Sequence, residues 1–463
     1  MKSMILKLWT GSLLGGLMLM AAPAKAEWLF TNQPGTINGV QVVANDSMGN
    51  HLVDGITGPT FTLVAREGHI STAEGGSVYV WSLANANGAT GFQYPGPTLI
   101  VDQGAAVNIT LNNTLPFPVS LVFPCQSNVV ATGGSAGLLT SEAAAGSGTV
   151  SYSFVASKPG TYLYNSGTRQ DLQIEMGMVG AIIVRPTGFN KSNKTTWKAY
   201  GTTDSAFDQE YLFLLTEMDP VIHDEVEHQK LAFNGVGTFN PVIDTTAHFA
   251  NYWLINGRTS PDTMMIAGSK ALPAQPYDAF PMMDPNQTLL MRMVGGGRDP
   301  HPFHHHANHA QVIARNGRLL QSPAPTANIS DLSYKVFTIP TYPGETTDAT
   351  FTWSGEGLGW DMYGHTSASD PMRYGEKLPA NGGDHGKPFP VTLPTEQDMD
   401  FGQWYGGSPF LGAPAALPPN LGGFDPTGGF IYMWHSHAER EIVNNNVFPG
   451  GMLTMLLIEP WAN

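Results

Sequence analysis

The sequence predicts an all-β protein built from two tandem β-sandwiches. Three observations carry this. Turn-formers are abundant, with 53 glycines and 35 prolines, while charged residues make up only 13%, about half the usual share in soluble domains. Short apolar or alternating runs recur between Gly- and Pro-rich turns, the pattern of sandwich strands. The second half also repeats the order of the first at low similarity, the mark of a duplicated unit.

Residues 1–26 read as a secretory signal: Lys2 and Lys7 precede an apolar run over 8–22, and Ala24-Lys25-Ala26 fits the small-x-small cleavage pattern. The run is too short for a good transmembrane helix, and no later stretch is long and apolar enough to span a bilayer. The protein is therefore expected in the periplasm, at the cell surface or in the medium. Removing the leader, with its three lysines and no acid, takes the net charge from −15 to −18. That argues against nucleic acid and anionic membranes as partners. Cys125 is the only cysteine, so no internal disulfide can form. It is read as a small buried residue, with an isolated ligand or an intermolecular thiol as alternatives.

Strands are expected at 98–101, 106–111, 118–123, 149–156, 160–164 and 179–184, forming a first unit over 27–190. Residues 287–293, 302–306, 346–353, 430–434 and 452–458 echo this order in a second unit over 205–463. A linker rich in Pro, Asn, Lys, Ser and Thr is placed at 185–204. A long Gly-, Pro- and Asp-rich insertion occupies about 355–429; its His365 and His385 are read as loop residues. Residues 211–218 read as a buried strand. His223 and His228 follow among acids, read as a solvated charged loop with a cation site as the alternative.

Two histidine clusters carry the chemistry. One is His301-Pro302-Phe303-His304-His305-His306, the other Trp434-His435-Ser436-His437. On strands, i and i+2 share a face. His304 with His306, and His435 with His437, are therefore two same-face pairs of imidazoles, the commonest transition-metal ligands. His305 is expected to point the other way, and His309 to be peripheral.

With these motifs the chain resembles the multicopper oxidases. Tyr94-Pro95-Gly96-Pro97-Thr98-Leu99, Pro159-Gly160-Thr161-Tyr162-Leu163-Tyr164, Tyr252-Trp253-Leu254-Ile255-Asn256-Gly257-Arg258, Pro343-Gly344-Glu345 and Pro449-Gly450-Gly451-Met452 look like that family's entry, strand and turn motifs. The resemblance implies tandem cupredoxin-like Greek-key sandwiches. It implies that His301 serves a blue copper, and that His304, His306, His435 and His437 serve a copper cluster. It also exposes departures. Ser436 stands where the blue-copper cysteine belongs, and Glu441 where its second histidine belongs; Met452 takes the axial position. Val122-Phe123-Pro124 and Asn165-Ser166-Gly167 replace the family's first two histidine motifs. The resemblance thus implies a degenerate member with half a cluster.

An alcohol cannot supply the thiolate bond of blue copper. The remaining metal candidates are His304, His306, His435 and His437, with His301 and Glu441 (or Glu439) as weaker additions. Copper leads by ancestry and by the Irving–Williams order, and zinc or iron also suits imidazole plus carboxylate. Three readings stay open: a copper-binding oxidase homologue with altered oxidoreductase activity, a metal-free scaffold or interaction protein of the envelope or cell surface, and a mononuclear metalloenzyme. The resemblance adds a homo-oligomer, a trimer by analogy with two-domain relatives.

Overall fold

Alternation builds the first sandwich. The computed structural model describes residues 51–88, 92–325, 327–354 and 429–458. It adds short strand segments at 35–37, 40–42, 360–361, 387–388, 391–392, 408–410 and 424–425. The leader and most of the 355–429 insertion, with His365 and His385, lie outside the described residues. The first strands are β1 (Ile56–Thr57), β2 (Thr60–Ser71), β3 (Ser77–Asn85), β4 (Leu99–Asp102), β5 (Ala106–Asn113) and β6 (Leu121–Val122). They are followed by β7 (Val130–Gly133), β8 (Thr149–Val155), β9 (Gly160–Ser166) and β10 (Val179–Arg185). They form two sheets, ordered β3-β2-β5-β8-β7 and β1-β4-β10-β9-β6. Val107, Ile109 and Leu111 of β5 and Val150, Tyr152 and Phe154 of β8 point into one shared core, the period of two expected of half-buried strands. β9 and β10 are buried along their whole length.

The second sandwich repeats the plan. Its strands are β11 (Gln209–Met218), β12 (Tyr252–Ile255), β13 (Met282–Met283), β14 (Thr288–Gly295), β15 (His301–His305) and β16 (Ala310–Arg315). β17 (Arg318–Leu319), β18 (Tyr334–Val336), β19 (Thr338–Thr341), β20 (Thr346–Thr352), β21 (Gly429–Ser436) and β22 (Leu453–Ile458) complete it. One sheet runs β12-β11-β14-β20-β16-β17, with β18 also on β16; the other runs β13-β22-β21-β15-β19. In each sandwich a parallel pair (β2 with β5, β11 with β14) is followed by an antiparallel partner (β8, β20). The internal repeat read from sequence is therefore a repeat of topology.

The register makes the correspondence local. Val122 faces Asn165 across β6 and β9, and His304 faces His435 across β15 and β21. The same cross-strand position carries imidazoles in one sandwich and none in the other.

Buried charge joins the two sandwiches. Arg185, ending β10, makes two hydrogen bonds to Glu210 of β11 (2.5 and 2.6 Å). Arg292 of β14 donates to the same carboxylate (2.5 Å) and to Thr161 of β9 (2.8 Å). Thr161 and Tyr200 each donate to Asp348 at 2.5 Å. Burial pushes the Glu210 carboxyl up, but Arg185 and Arg292 outweigh it and hold it down at about 2.

Two sequence expectations are corrected. Cys125 is exposed, not buried. Pro124 and Cys125 are the central residues of a turn closed by Gln126 N–H to the Phe123 carbonyl (3.1 Å). The Cys125 φ of 65° makes this a type II turn, with proline at its favoured position, and puts the thiol at the turn tip. The charged stretch after β11 is a helix, α1 (Pro220–Ala232), started by proline at its first turn and by the Asp219 side chain accepting from Val221 N–H. His223 on α1 is buried: its Nδ1–H donates to the Tyr79 carbonyl (2.5 Å), and its Nε2 lies 3.6 Å from Glu175. Within the stretch expected as a linker at 185–204, Trp197 and Ala199 share a core cluster with Phe207, Leu290, Ile313 and Ala314. Among the described residues no helix is long and apolar enough to cross a membrane.

Candidate metal centre

Alternation along β15 divides its histidines between two environments. His301, Phe303 and His305 are buried on one face, while His304 is half-buried on the other. His306 follows the strand and is tied to β21: its N–H donates to the Met433 carbonyl (3.3 Å), and its own carbonyl accepts from the Trp434 indole (3.2 Å). On β21, Trp434 and Ser436 are fully buried, and His435 comes to the face of His304 and His306.

There the imidazoles meet. The His304 and His306 rings are 4.8 Å apart, His306 and His435 5.3 Å, and His304 and His435 5.5 Å. One nitrogen of each of these three histidines lies within 4.8 Å of the others. Among the described residues this is the one group of His, Cys, Asp or Glu side chains with the spacing of a metal site. The His437 ring is 5.0 Å from His304, but it is half exposed and its Nδ1 is 3.2 Å from Glu439. It flanks the trio rather than completing it.

The donor atoms suit a metal. The Nδ1–H of His435 donates to the Ser436 carbonyl (2.7 Å), which leaves the Nε2 lone pair facing His306 Nε2 at 3.3 Å. Two nitrogens each about 2.0 Å from a tetrahedral ion stand about 3.3 Å apart. His304 Nδ1 is 3.0 Å from Thr338 Oγ1, a hydroxyl able to accept its N–H and so leave Nε2 as the donor atom for a metal. Burial, then the neighbouring His306 and His435, hold His304 down at about 4. Burial, reinforced by His306 and His437, also lowers His435. Both rings are therefore neutral near pH 7, as ligands must be.

The buried face of the same strands does something different. His301 Nε2 contacts Glu217 (2.8 Å), and its Nδ1 contacts Glu441 (2.9 Å). Ser436 Oγ donates to the same Glu441 oxygen (2.6 Å). Glu441, a candidate fifth ligand from sequence, is thus directed at His301 rather than at the imidazole trio. His305 is buried against Phe351 and Trp434, at 6.0 Å from each, pointing away as expected.

The matching positions of the first sandwich hold no imidazole. Phe123 packs on Tyr152, Phe154 and Tyr164, and Ser166 Oγ hydrogen-bonds Gln173 (2.6 Å). Aromatic core and amide network fill the space.

Residues 81–188 match the sequence profile of the multicopper oxidase family. No curated protein sequence matches the chain. Among solved structures, the blue copper oxidase from Nitrosomonas europaea superposes with a TM-score of 0.51 at 16% identity, covering 86% of this chain and 85% of that one. The chain has a multicopper-oxidase fold. A second multicopper oxidase, mgLAC, gives a TM-score of 0.50 over the same shares, also at 16% identity. On this multicopper-oxidase frame, among the described residues, only the second sandwich presents clustered histidines.

Glu217 and Thr338 are the site residues that sequence reading missed. Glu217 carried a signal: with Glu210 it flanks the apolar run 211–215 of the buried strand β11, where a buried carboxylate needs a partner. Thr338 carried none, because β19 reaches β15 only through the sheet. Thr338→Val is expected to weaken metal binding at the trio about 10–100-fold, as loss of an outer partner of a ligating histidine does. Metal titration of the variant against the parent measures it.

Proposed function

We propose that this protein binds one metal ion, copper by preference, at His304, His306 and His435, with His437 beside them. It would then act as an exported multicopper-oxidase-like protein with altered oxidoreductase activity. The observation that carries the proposal is the convergence of three imidazole nitrogens with the spacing of a single ion's ligands. Zinc and iron fit the same donors, and copper leads on the Irving–Williams order. A bound copper supplies a redox-active, Lewis-acidic centre. The chain's residues hold and orient it: Thr338 and the Ser436 carbonyl fix the outer nitrogens of His304 and His435. Phe337, 59% exposed with its ring 5.9 Å from His304, leaves the flank of the site open to a substrate or a neighbouring subunit. Export rests on the leader sequence.

This reading differs from the family's full copper cluster, because the first sandwich offers no histidine ligands at the matching positions. Elemental analysis of natively purified protein is expected to give about one metal per chain. His304→Ala with His435→Ala is expected to abolish it. Native protein without metal above background, unchanged by that pair of substitutions, would leave the metal-free scaffold as the function. More than one metal per chain would count against a mononuclear site.

A further inference from the structure

Positions 301, 436, 441 and 452 are those that the family resemblance gives to blue copper, and the fold brings them together. Ser436 N–H donates to the Met452 carbonyl (2.9 Å), and Met452 N–H to the Glu441 carbonyl (2.8 Å). Into this frame β11 adds Glu217. One oxygen of Glu217 accepts the backbone N–H groups of Arg298 and Asp299, and the other contacts His301 Nε2 (2.8 Å). Glu441 contacts the opposite ring nitrogen (2.9 Å). The side chains of His301 and Glu217 are wholly buried, and that of Glu441 is 3% exposed.

We infer that the blue-copper pocket has become a metal-free ionic staple, in which an imidazolium bracketed by two carboxylates takes the place of the ion. Two features of the geometry require it. The carboxylates approach opposite nitrogens of one ring, so they cannot join the same nitrogen around a common ion. Hydrogen bonds from both ring nitrogens to carboxylate oxygens also use an N–H on each, which leaves the ring no lone pair to coordinate with. Ser436, the position of the missing thiolate, is itself spent as a donor to Glu441 (2.6 Å). The charge that a metal would bring to this pocket is carried by the histidine. The staple ties β15 to β11 and to the segment between β21 and β22, directly behind His435. It therefore fixes the strands that carry the imidazole trio whether or not that trio is loaded.

Two measurements on the full chain test this apart from the proposed function. In the first, the His304→Ala/His435→Ala variant is titrated with Cu(II). The expected result is no copper retained above the buffer blank. One copper per chain retained there, and lost on adding His301→Gln, would overturn the staple even if the trio binds metal as proposed. In the second, metal-free native protein labelled with 15N-histidine is examined by NMR at neutral pH, with His301 assigned by the resonances missing in His301→Gln. Protonated-type shifts at both ring nitrogens are expected. A lone-pair-type nitrogen on His301 overturns the inference. This second result does not depend on whether the double variant folds.

Discussion

Glu210→Ala is expected to destabilise the protein by about 3–5 kcal/mol, the cost of removing one partner from a buried ionic network. Glu210 is fully buried and accepts from two arginines, Arg185 and Arg292, that are themselves 5% exposed or less. Its removal strands two cations in the interior, with Asp348 remaining close to Arg292 alone (3.5 Å). Urea unfolding checks this through the midpoint, with the slope unchanged if the native and unfolded states keep their surface areas. A loss below about 1 kcal/mol, the scale of an exposed pair, would contradict it. The same carboxylate gives an acid limb. Its pKa is depressed from 4.5 to about 2, so its contribution is present above pH 4.5 and is lost as pH falls through about 2.

On the alkaline side the second large effect is expected from His301. Burial lowers its pKa, but Glu217 and Glu441 outweigh burial and raise it from 6.5 to about 9. The folded protein therefore holds this proton more tightly than the unfolded chain. The stabilisation is complete below pH 6.5 and disappears as pH rises through about 9. The shift corresponds to about 3 kcal/mol. Unfolding free energies measured at neutral pH and above pH 9 should differ by that order, and His301→Gln should flatten the profile. An unchanged free energy across that range in the native protein would show that His301 is not held as an imidazolium.

Much of the fold was legible because it rests on local patterns. Alternation marked β5 and β8, and the continuous apolar run marked β11. The order of motifs marked the repeat. The imidazole trio was legible for the same reason, since i and i+2 on a strand fix a face, and that rule also turned His305 away. What stayed hidden depends on partners distant in sequence. Nothing near His301 announces Glu217, and nothing near Arg185 announces Arg292, because the packing of one sheet on another and of one sandwich on the other brings them together. Helix α1 is a different case. Asp219-Pro220 is an N-terminal helix signal, but the acids after it outweigh a stripe of only Ile222, His223 and Val226, so the segment reads as a loop. Cys125 was misread by residue type, since its exposure follows from the turn that Pro124 sets.

The charged seam of Arg185, Glu210, Arg292 and Asp348 also bears on how the molecule comes apart. Separating the sandwiches would bring Arg185 away from its carboxylate and Thr161 away from Asp348, while most of the cost of opening either core remained to be met. An intermediate with one half intact would thus carry an uncompensated charge that neither the native nor the fully unfolded chain has to bear. The seam is expected to couple the two sandwiches, so heating should melt them in a single calorimetric transition. Either half produced alone would have to fold around half of an ion pair.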